Sequence, residues 1–224
     1  MWQPTASIGV IRARAEMYAQ VRAFFSHGRV LEVETPLLCS TTAMDPYLDS
    51  FSLSSGRFLQ TSPEFPMKRL LASGSGPIYQ ISKAFRQDEE SSRHNPEFTL
   101  LEWYQPGYSL LQLQEELLAL LFLLAKGFMA VPWTRESVTC WAYADLFESI
   151  VGLCPHSCSV EALADVAKQE TGFEGELTRD SWLDLLMSHV VEPKMPWGLL
   201  VSVSYTNLTP QTNRIVDMSE VSEK

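Results

Sequence analysis

The chain has 224 residues, of which 46% are hydrophobic, and a formal net charge of −10 at pH 7. This is enough for one domain with a core and a small appendage. The acidic charge disfavours extended nucleic-acid binding, which usually needs a basic surface. The sequence has no apolar run of the roughly 18 residues needed to span a membrane and no secretory signal, so we expect a cytoplasmic protein.

The first third of the chain predicts a helix followed by short strands. Apolar residues recur at helical spacing over residues 7–26, and Gly28 is placed to end that helix. Residues 30–35 predict a strand closed by Pro36. Residues 41–55 are polar and rich in turn formers, which indicates a loop with short strands.

A second helix is predicted to begin near Ser62 and to run to residue 73, after a short strand at residues 58–61. Ser62 suits the N-cap, and Pro63 suits the first helical position. Glu64 follows directly. Its carboxylate could pair with a ligand's ammonium group or simply stabilise the positive end of the helix, and both interpretations stay open.

Residues 77–104 predict two strands joined by a charged loop. Because side chains two apart share a face of a strand, the second strand presents an aromatic ring, a carboxylate and a phenol together. That face holds Phe98, Leu100, Glu102 and Tyr104, and the opposite face holds Thr99, Leu101 and Trp103.

The chemistry of this hairpin indicates a site for a nucleotide beside an amino acid. Arg86, at the end of the first strand, can hold a phosphate through two donors. Phe98 offers a flat ring on which a purine can stack. Glu102 and Tyr104 suit an ammonium group.

The second half of the chain predicts helices at residues 110–129, 140–151, 160–169 and 178–191. Cys154, His156 and Cys158 fall within the loose spacing of zinc ligands, but no second ligand pair follows. We favour a loop before a helix capped by Ser159, with free thiols, and expect no protein metal site.

The run Arg93-His-Asn-Pro-Glu-Phe-Thr-x-x-Glu-x-Tyr104 resembles motif 2 of the class II aminoacyl-tRNA synthetases, most closely of the lysyl-tRNA synthetase type. Residues 61–71 resemble that family's substrate-binding segment, and residues 27–38 resemble its motif 1. Leu101-Glu-Trp-Tyr104 resembles the shorter branch that attaches (R)-β-lysine to elongation factor P. The resemblance implies an α+β fold, with an antiparallel sheet flanked by helices.

The resemblance also implies a set of site residues, with Arg86 as the catalytic residue. The residues that it places at ATP, with Mg²⁺ bridging the phosphates, are Arg86, Gln87, Asp88, His94, Asn95 and Phe98. Those that it places at the amino-acid substrate are Ser62, Pro63, Glu64, Glu102 and Tyr104. Asp88 stands where the family usually has glutamate, so its side chain is one methylene shorter.

The resemblance divides the chain into a partial catalytic domain, residues 1–196, and an atypical tail, residues 197–224. Within the first part, motif 1 covers about 27–38, motif 2 about 77–106 and a helical insertion about 109–191. The family's acidic strand and motif 3 are absent from this sequence. We therefore interpret the catalytic domain as truncated and the tail as out-of-frame sequence.

Three functions follow from these features. In the first, ATP activates (R)-β-lysine or lysine as an adenylate, and the acyl group passes to a lysine of elongation factor P. In the second, the acceptor is tRNA. In the third, the chain is an inactive fragment with a binding role or none. The acidic charge and the expected lack of an anticodon-binding domain favour a protein acceptor, and the resemblance implies a homodimer formed through motif 1.

Overall fold

The computed structural model describes residues 2, 4–41, 48–87, 94–128, 135 and 138–195, together with the backbone of residues 199–202 and 216–217. The chain forms two compact units. One comprises Met1–Ala130 with Pro210–Lys224, and the other comprises Val131–Thr209.

Within its described residues, the first unit contains three helices, a mixed sheet and a two-stranded sheet. Its elements are α1 (Ile8–His27), β1 (Leu31–Glu32), β2 (Leu38–Cys39), β3 (Phe58–Leu59), α2 (Glu64–Ala72), β4 (Ile78–Phe85), β5 (Glu97–Tyr104), α3 (Leu110–Phe128) and a last strand, Val216–Asp217.

The sheet is centred on the β4–β5 hairpin. β5 is antiparallel to β4, with Ile78 opposite Tyr104 and Phe85 opposite Glu97, and its other edge pairs antiparallel with Val216–Asp217. β1 lies parallel to β4 on the far side. The described sheet is therefore mixed, and the predicted antiparallel pairing is correct for the hairpin but not for β1.

One face of the hairpin is covered by α1 and α3. Phe25 from α1 is fully buried there and stacks on Tyr79 of β4, with ring centroids 4.5 Å apart and ring planes inclined by 19°. The residues that form this core are Met17, Val21, Phe25, Val30, Tyr79, Leu101, Trp103, Leu113 and Leu120. The predicted alternation along β5 is thus confirmed, because Leu101 and Trp103 face this core.

Helix α1 follows its prediction closely at both ends. The Ser7 hydroxyl caps the first turn by accepting a hydrogen bond from the Val10 amide. The helix ends at Gly28, but the residue with left-handed backbone is Arg29, at φ 56°. The strand predicted over residues 30–35 is shorter than expected, since only Leu31–Glu32 forms a ladder with β4.

Helix α2 begins one residue later than predicted. Pro63 rather than Ser62 occupies the N-cap position, and no side chain caps the helix from there. The Ser62 hydroxyl accepts a hydrogen bond from the Glu64 amide, at 3.1 Å, so it still serves the first turn. Because the helix starts one residue later, the Ser62 hydroxyl lies outside it and donates its own proton to a side chain of another element.

The second unit is mainly helical. Its elements are β6 (Thr139–Ala142), α4 (Tyr143–Val151), α5 (Val160–Thr171), α6 (Arg179–Leu186), a π-helical turn (Met187–Val191), a 3₁₀ turn (Glu192–Lys194) and β7 (Leu199–Ser202), which pairs parallel with β6. Its core contains Leu146, Phe147, Leu163, Ala167, Trp182, Leu186, Val190 and Val191.

Two predictions for this unit have different outcomes. The helix predicted from residue 140 begins only at Tyr143, because Thr139–Ala142 forms a strand. The cap predicted for α5 is confirmed, since the Ser159 hydroxyl accepts a hydrogen bond from the Ala162 amide.

Neither a protein metal site nor a membrane span emerges from the described ranges. They contain no group of three or more histidine, cysteine or acidic side chains arranged to hold a metal ion. The four cysteines are free thiols. None of the helices described combines the length and the apolar character needed to cross a bilayer.

We expect Phe25→Ala to lower the free energy of unfolding by about 3–5 kcal/mol, because it opens a cavity against Tyr79 and Trp103. Urea unfolding followed by fluorescence measures this. Phe65→Ala is the matched control, since Phe65 is 46% exposed, and it should cost less than about 1 kcal/mol. Equal losses for the two variants would contradict the packing described.

Candidate functional site

The candidate site lies on the face of the β4–β5 hairpin opposite to α1 and α3. The register places Gln80 across from Glu102, Ser82 across from Leu100, and Ala84 across from Phe98. Directly opposed residues of an antiparallel pair share a face, with Cβ atoms about 4.5–5.5 Å apart. Successive positions on each strand therefore alternate between the apolar core and this second face. We call it the polar face, because it carries Gln80, Ser82 and Glu102.

Glu102 is the centre of the site. Its side chain is only 2% exposed, and its carboxylate accepts hydrogen bonds from the Ser62 hydroxyl, at 2.8 Å, and from the Tyr104 hydroxyl. Ser62 comes from the segment before α2, and Tyr104 packs with Met67 and Ile78. The structure therefore brings three of the predicted substrate residues into direct contact.

Glu64 is hydrogen-bonded to the network around Glu102 and forms an ion pair with Lys68. Its backbone amide donates to the Ser62 hydroxyl, and its carboxylate accepts from the Lys68 ammonium at 2.7 Å. Lys68 lies one turn further along α2, the spacing at which helical side chains meet. A ligand ammonium can reach Glu64 only by sharing it with Lys68 or displacing it.

Burial sets the electrostatics of the pair formed by Glu102 and Tyr104. Desolvation raises the pKa of Glu102, and the hydrogen bonds from Tyr104 and Ser62 oppose that rise without cancelling it. Burial also raises the pKa of Tyr104, and the adjacent Glu102 carboxylate adds to the effect. A desolvated carboxylate of this kind gains from a bound cation, because the cation compensates the charge that water no longer solvates.

Arg86 lies directly after β4, where its backbone amide donates to the Pro96 carbonyl at 2.9 Å. Its guanidinium is 5.0 Å from the centre of the Phe98 ring, and its Nε donates to the Thr61 carbonyl at 3.5 Å. Phe98 is 6% exposed and packs with Ala84 and Leu100. A purine can stack on that face of the Phe98 ring only if the guanidinium moves away from it.

The remaining predicted nucleotide residues flank the loop between the two strands. The Gln87 amide donates to the Asp49 carbonyl at 2.8 Å, and its side chain is exposed. His94 and Asn95 are exposed at the other end of the loop. Asp88 lies outside the described residues.

The guanidinium of Arg86 fits a nucleotide phosphate, to which it can donate two hydrogen bonds. Mg²⁺ is commonly bound through one or two carboxylates together with substrate phosphates. The described part of the chain has no cluster of three acidic or histidine ligands.

Sequence reasoning missed several polar side chains around the site. Gln60 and Gln80 are buried, and among the described residues the Gln60 amide oxygen and both Gln80 amide atoms have no hydrogen-bond partner. Leaving a buried donor or acceptor unpaired costs about 1–3 kcal/mol. The available signals were a glutamine between the apolar residues Tyr79 and Ile81, for Gln80, and the helical spacing from Glu64, for Lys68.

With this geometry in place, comparison with known proteins identifies the class. A family model described as "tRNA synthetases class II (D, K and N)" matches residues 5–190. The chain belongs to this family.

Three curated relatives of the chain share one name. "Elongation factor P--(R)-beta-lysine ligase" of Pseudoalteromonas translucida is 42% identical over 86% of this chain and 61% of its own length. The proteins of that name from Vibrio parahaemolyticus and Vibrio cholerae are 39% and 42% identical, over 98% and 87% of this chain and 72% and 61% of their own lengths. The chain thus spans about two thirds of the length of these relatives.

Glu102 gives the protein a testable pH dependence. Because its pKa is raised in the folded state, the folded protein holds this proton more tightly than the unfolded chain. The free energy of unfolding therefore falls as pH rises from the ordinary glutamate range through the raised pKa, and is level above it. Glu102→Gln removes this penalty, so the variant should be at least as stable as the parent at neutral pH.

Urea unfolding at a series of pH values measures the difference in free energy of unfolding between Glu102→Gln and the parent. This difference should shrink towards acid pH. Glu97→Gln is the matched control on the same strand, where the side chain is exposed and paired with Lys83. We expect that variant to keep the fall in stability with rising pH that Glu102 causes. A parent whose stability rises with pH because of Glu102 would contradict the assignment.

Proposed function

We propose that the protein activates (R)-β-lysine or lysine with ATP, as an aminoacyl-adenylate, and transfers the acyl group to a lysine of elongation factor P. The acceptor and substrate come from the name that the relatives share. Family membership supports the adenylate chemistry. The observation that carries the proposal is the buried Glu102 carboxylate with Ser62 and Tyr104 bonded to it.

The amino-acid end of the proposed site is the network around Glu102. A side-chain ammonium of a diamino acid carries three donors and one positive charge. Glu102 supplies the compensating charge in a desolvated position, and the Ser62 and Tyr104 hydroxyls hold its two oxygens in place. Glu64 forms a second anionic point, now shared with Lys68, for the other amino group.

The nucleotide end is Arg86, with Gln87, His94 and Asn95 at the rim and Phe98 beneath. The substrate carboxylate attacks the α-phosphorus of ATP, pyrophosphate leaves, and an acyl-adenylate forms. Arg86 stabilises the charge that develops on the α-phosphate, because a guanidinium matches the phosphate oxygens with two donors. Bound Mg²⁺ would neutralise part of the phosphate charge. The enzyme's contribution is positioning and charge neutralisation.

A second candidate function differs from the first only in the molecule that accepts the acyl group. Family membership favours tRNA as an alternative acceptor, since the matching model describes tRNA synthetases. The net charge of −10 favours a protein acceptor, because tRNA binding gains from phosphate neutralisation. We therefore place elongation factor P first and tRNA second, and we propose a cytoplasmic homodimer formed through residues 27–38.

Transfer of labelled substrate distinguishes these functions. The protein is incubated with ATP, Mg²⁺ and radiolabelled lysine or (R)-β-lysine, in the presence of purified elongation factor P or tRNA. Label on the protein acceptor supports the proposal, and label on tRNA supports the second function. Label on neither acceptor, without amino-acid-dependent pyrophosphate exchange, would identify the chain as inactive.

Arg86→Ala should lower diamino-acid-dependent pyrophosphate exchange by roughly 10²–10³-fold, because it removes the group that stabilises charge on the α-phosphate. The affinity for the free diamino acid should stay unchanged, since Arg86 lies at the nucleotide end. Steady-state exchange and calorimetric binding measure the two quantities.

Arg12→Ala serves as the control, because Arg12 is exposed on α1, which packs on the opposite face of the sheet. Its exchange rate should equal that of the parent. If Arg86→Ala retained full exchange, the assignment of Arg86 to the α-phosphate would be wrong.

A further inference from the structure

Gln80 is the third of the eight residues of β4 and is 1% exposed. Neither its amide oxygen nor its amide nitrogen has a hydrogen-bond partner within the described ranges. Buried side-chain amides are normally satisfied, so an unpaired one at this depth calls for an explanation. Its cross-strand neighbour on the polar face is Glu102.

Other buried glutamines in the first unit are held by the chain itself. The Gln60 amide nitrogen donates to the Lys83 carbonyl at 2.8 Å, and the Gln105 amide nitrogen donates to Glu116. These contacts fix the orientation of both side chains. Gln80 differs from them because no hydrogen bond from the described residues orients its amide.

The charge balance around Gln80 indicates what it can bind. Glu64 is already paired with Lys68, whereas within the described residues Glu102 forms no ion pair. Both Glu102 oxygens already accept one hydrogen bond from the protein. An ammonium group with three donors therefore gains from a further, neutral acceptor beside that carboxylate.

We propose that Gln80 is a substrate-contacting residue, whose amide oxygen accepts a hydrogen bond from the ammonium group that Glu102 holds. The inference rests on the proposed function, because it takes a diamino carboxylic acid as the ligand of this site. It adds a residue that determines affinity for the ammonium group. A neutral amide contributes a directed acceptor there without placing a second carboxylate beside Glu102.

Gln80→Met tests this assignment, since methionine has nearly the same shape and lacks both polar atoms. Calorimetry on the full chain, with lysine and (R)-β-lysine as probes, should give dissociation constants about tenfold higher or more, the effect of losing a hydrogen bond to a charged group. ATP affinity should not change. The thermal midpoint of the free protein should not fall, because the variant removes an unpaired buried amide.

The matched control is Gln105→Met, which removes a buried amide that the protein does satisfy. Its thermal midpoint should fall, and its affinity for the two diamino acids should equal that of the parent. A purely structural role for Gln80 predicts the opposite pattern for Gln80→Met, with a lower midpoint and unchanged affinity.

The outcomes separate this inference from the function on which it rests. If the parent binds a diamino acid and Gln80→Met binds it equally well, the inference is overturned and the proposed function stands. If the parent binds neither probe, the proposed function fails, and the inference fails with it.

Discussion

The register of the β4–β5 hairpin determines both the core and the site. It pairs Ile78 with Tyr104 at one end and Phe85 with Glu97 at the other. Because side chains alternate along a strand, a slip of one residue would turn Glu102 into the apolar core under α1 and α3 and expose Leu101 and Trp103 on the polar face. Packing of Phe25 against Tyr79 and Trp103 resists that slip. The apolar face therefore specifies the chemistry of the polar face.

Under the proposed function, burial of Glu102 is what would make the polar face select a cationic ligand. Glu102 lies in a position where water solvates it poorly, and the serine and tyrosine hydroxyls donate to its carboxylate instead. Such a carboxylate discriminates strongly against ligands that bring no charge, since these leave it uncompensated. The proposed contact from Gln80 would add direction to this attraction. The site would then hold a diamino acid at two places. Glu102 would bind one ammonium group, and Glu64 would bind the other amino group.

Local pattern predicted the elements whose signal is periodic, namely α1, the hairpin with its two faces, and the helices α3, α5 and α6. It failed at residues 139–142, where a short apolar run is compatible with helix and strand alike. The contact between Ser62 and Glu102 joins residues 40 positions apart, which no local pattern reports. The same limit applies to Arg86, whose placement over Phe98 depends on how the two strands meet. The roles of the predicted nucleotide residues and the nature of residues 197–224 stay predictions.

The proposed function depends above all on Glu102 holding the ammonium group of a diamino acid on the polar face of the hairpin. A crystal structure of the protein with (R)-β-lysine and a non-hydrolysable ATP analogue would show whether it does. We predict a ligand ammonium within hydrogen-bonding distance of the Glu102 carboxylate, with the nucleotide's α-phosphate at Arg86. A diamino acid bound elsewhere, with Glu102 still bonded only to Ser62 and Tyr104, would contradict this assignment.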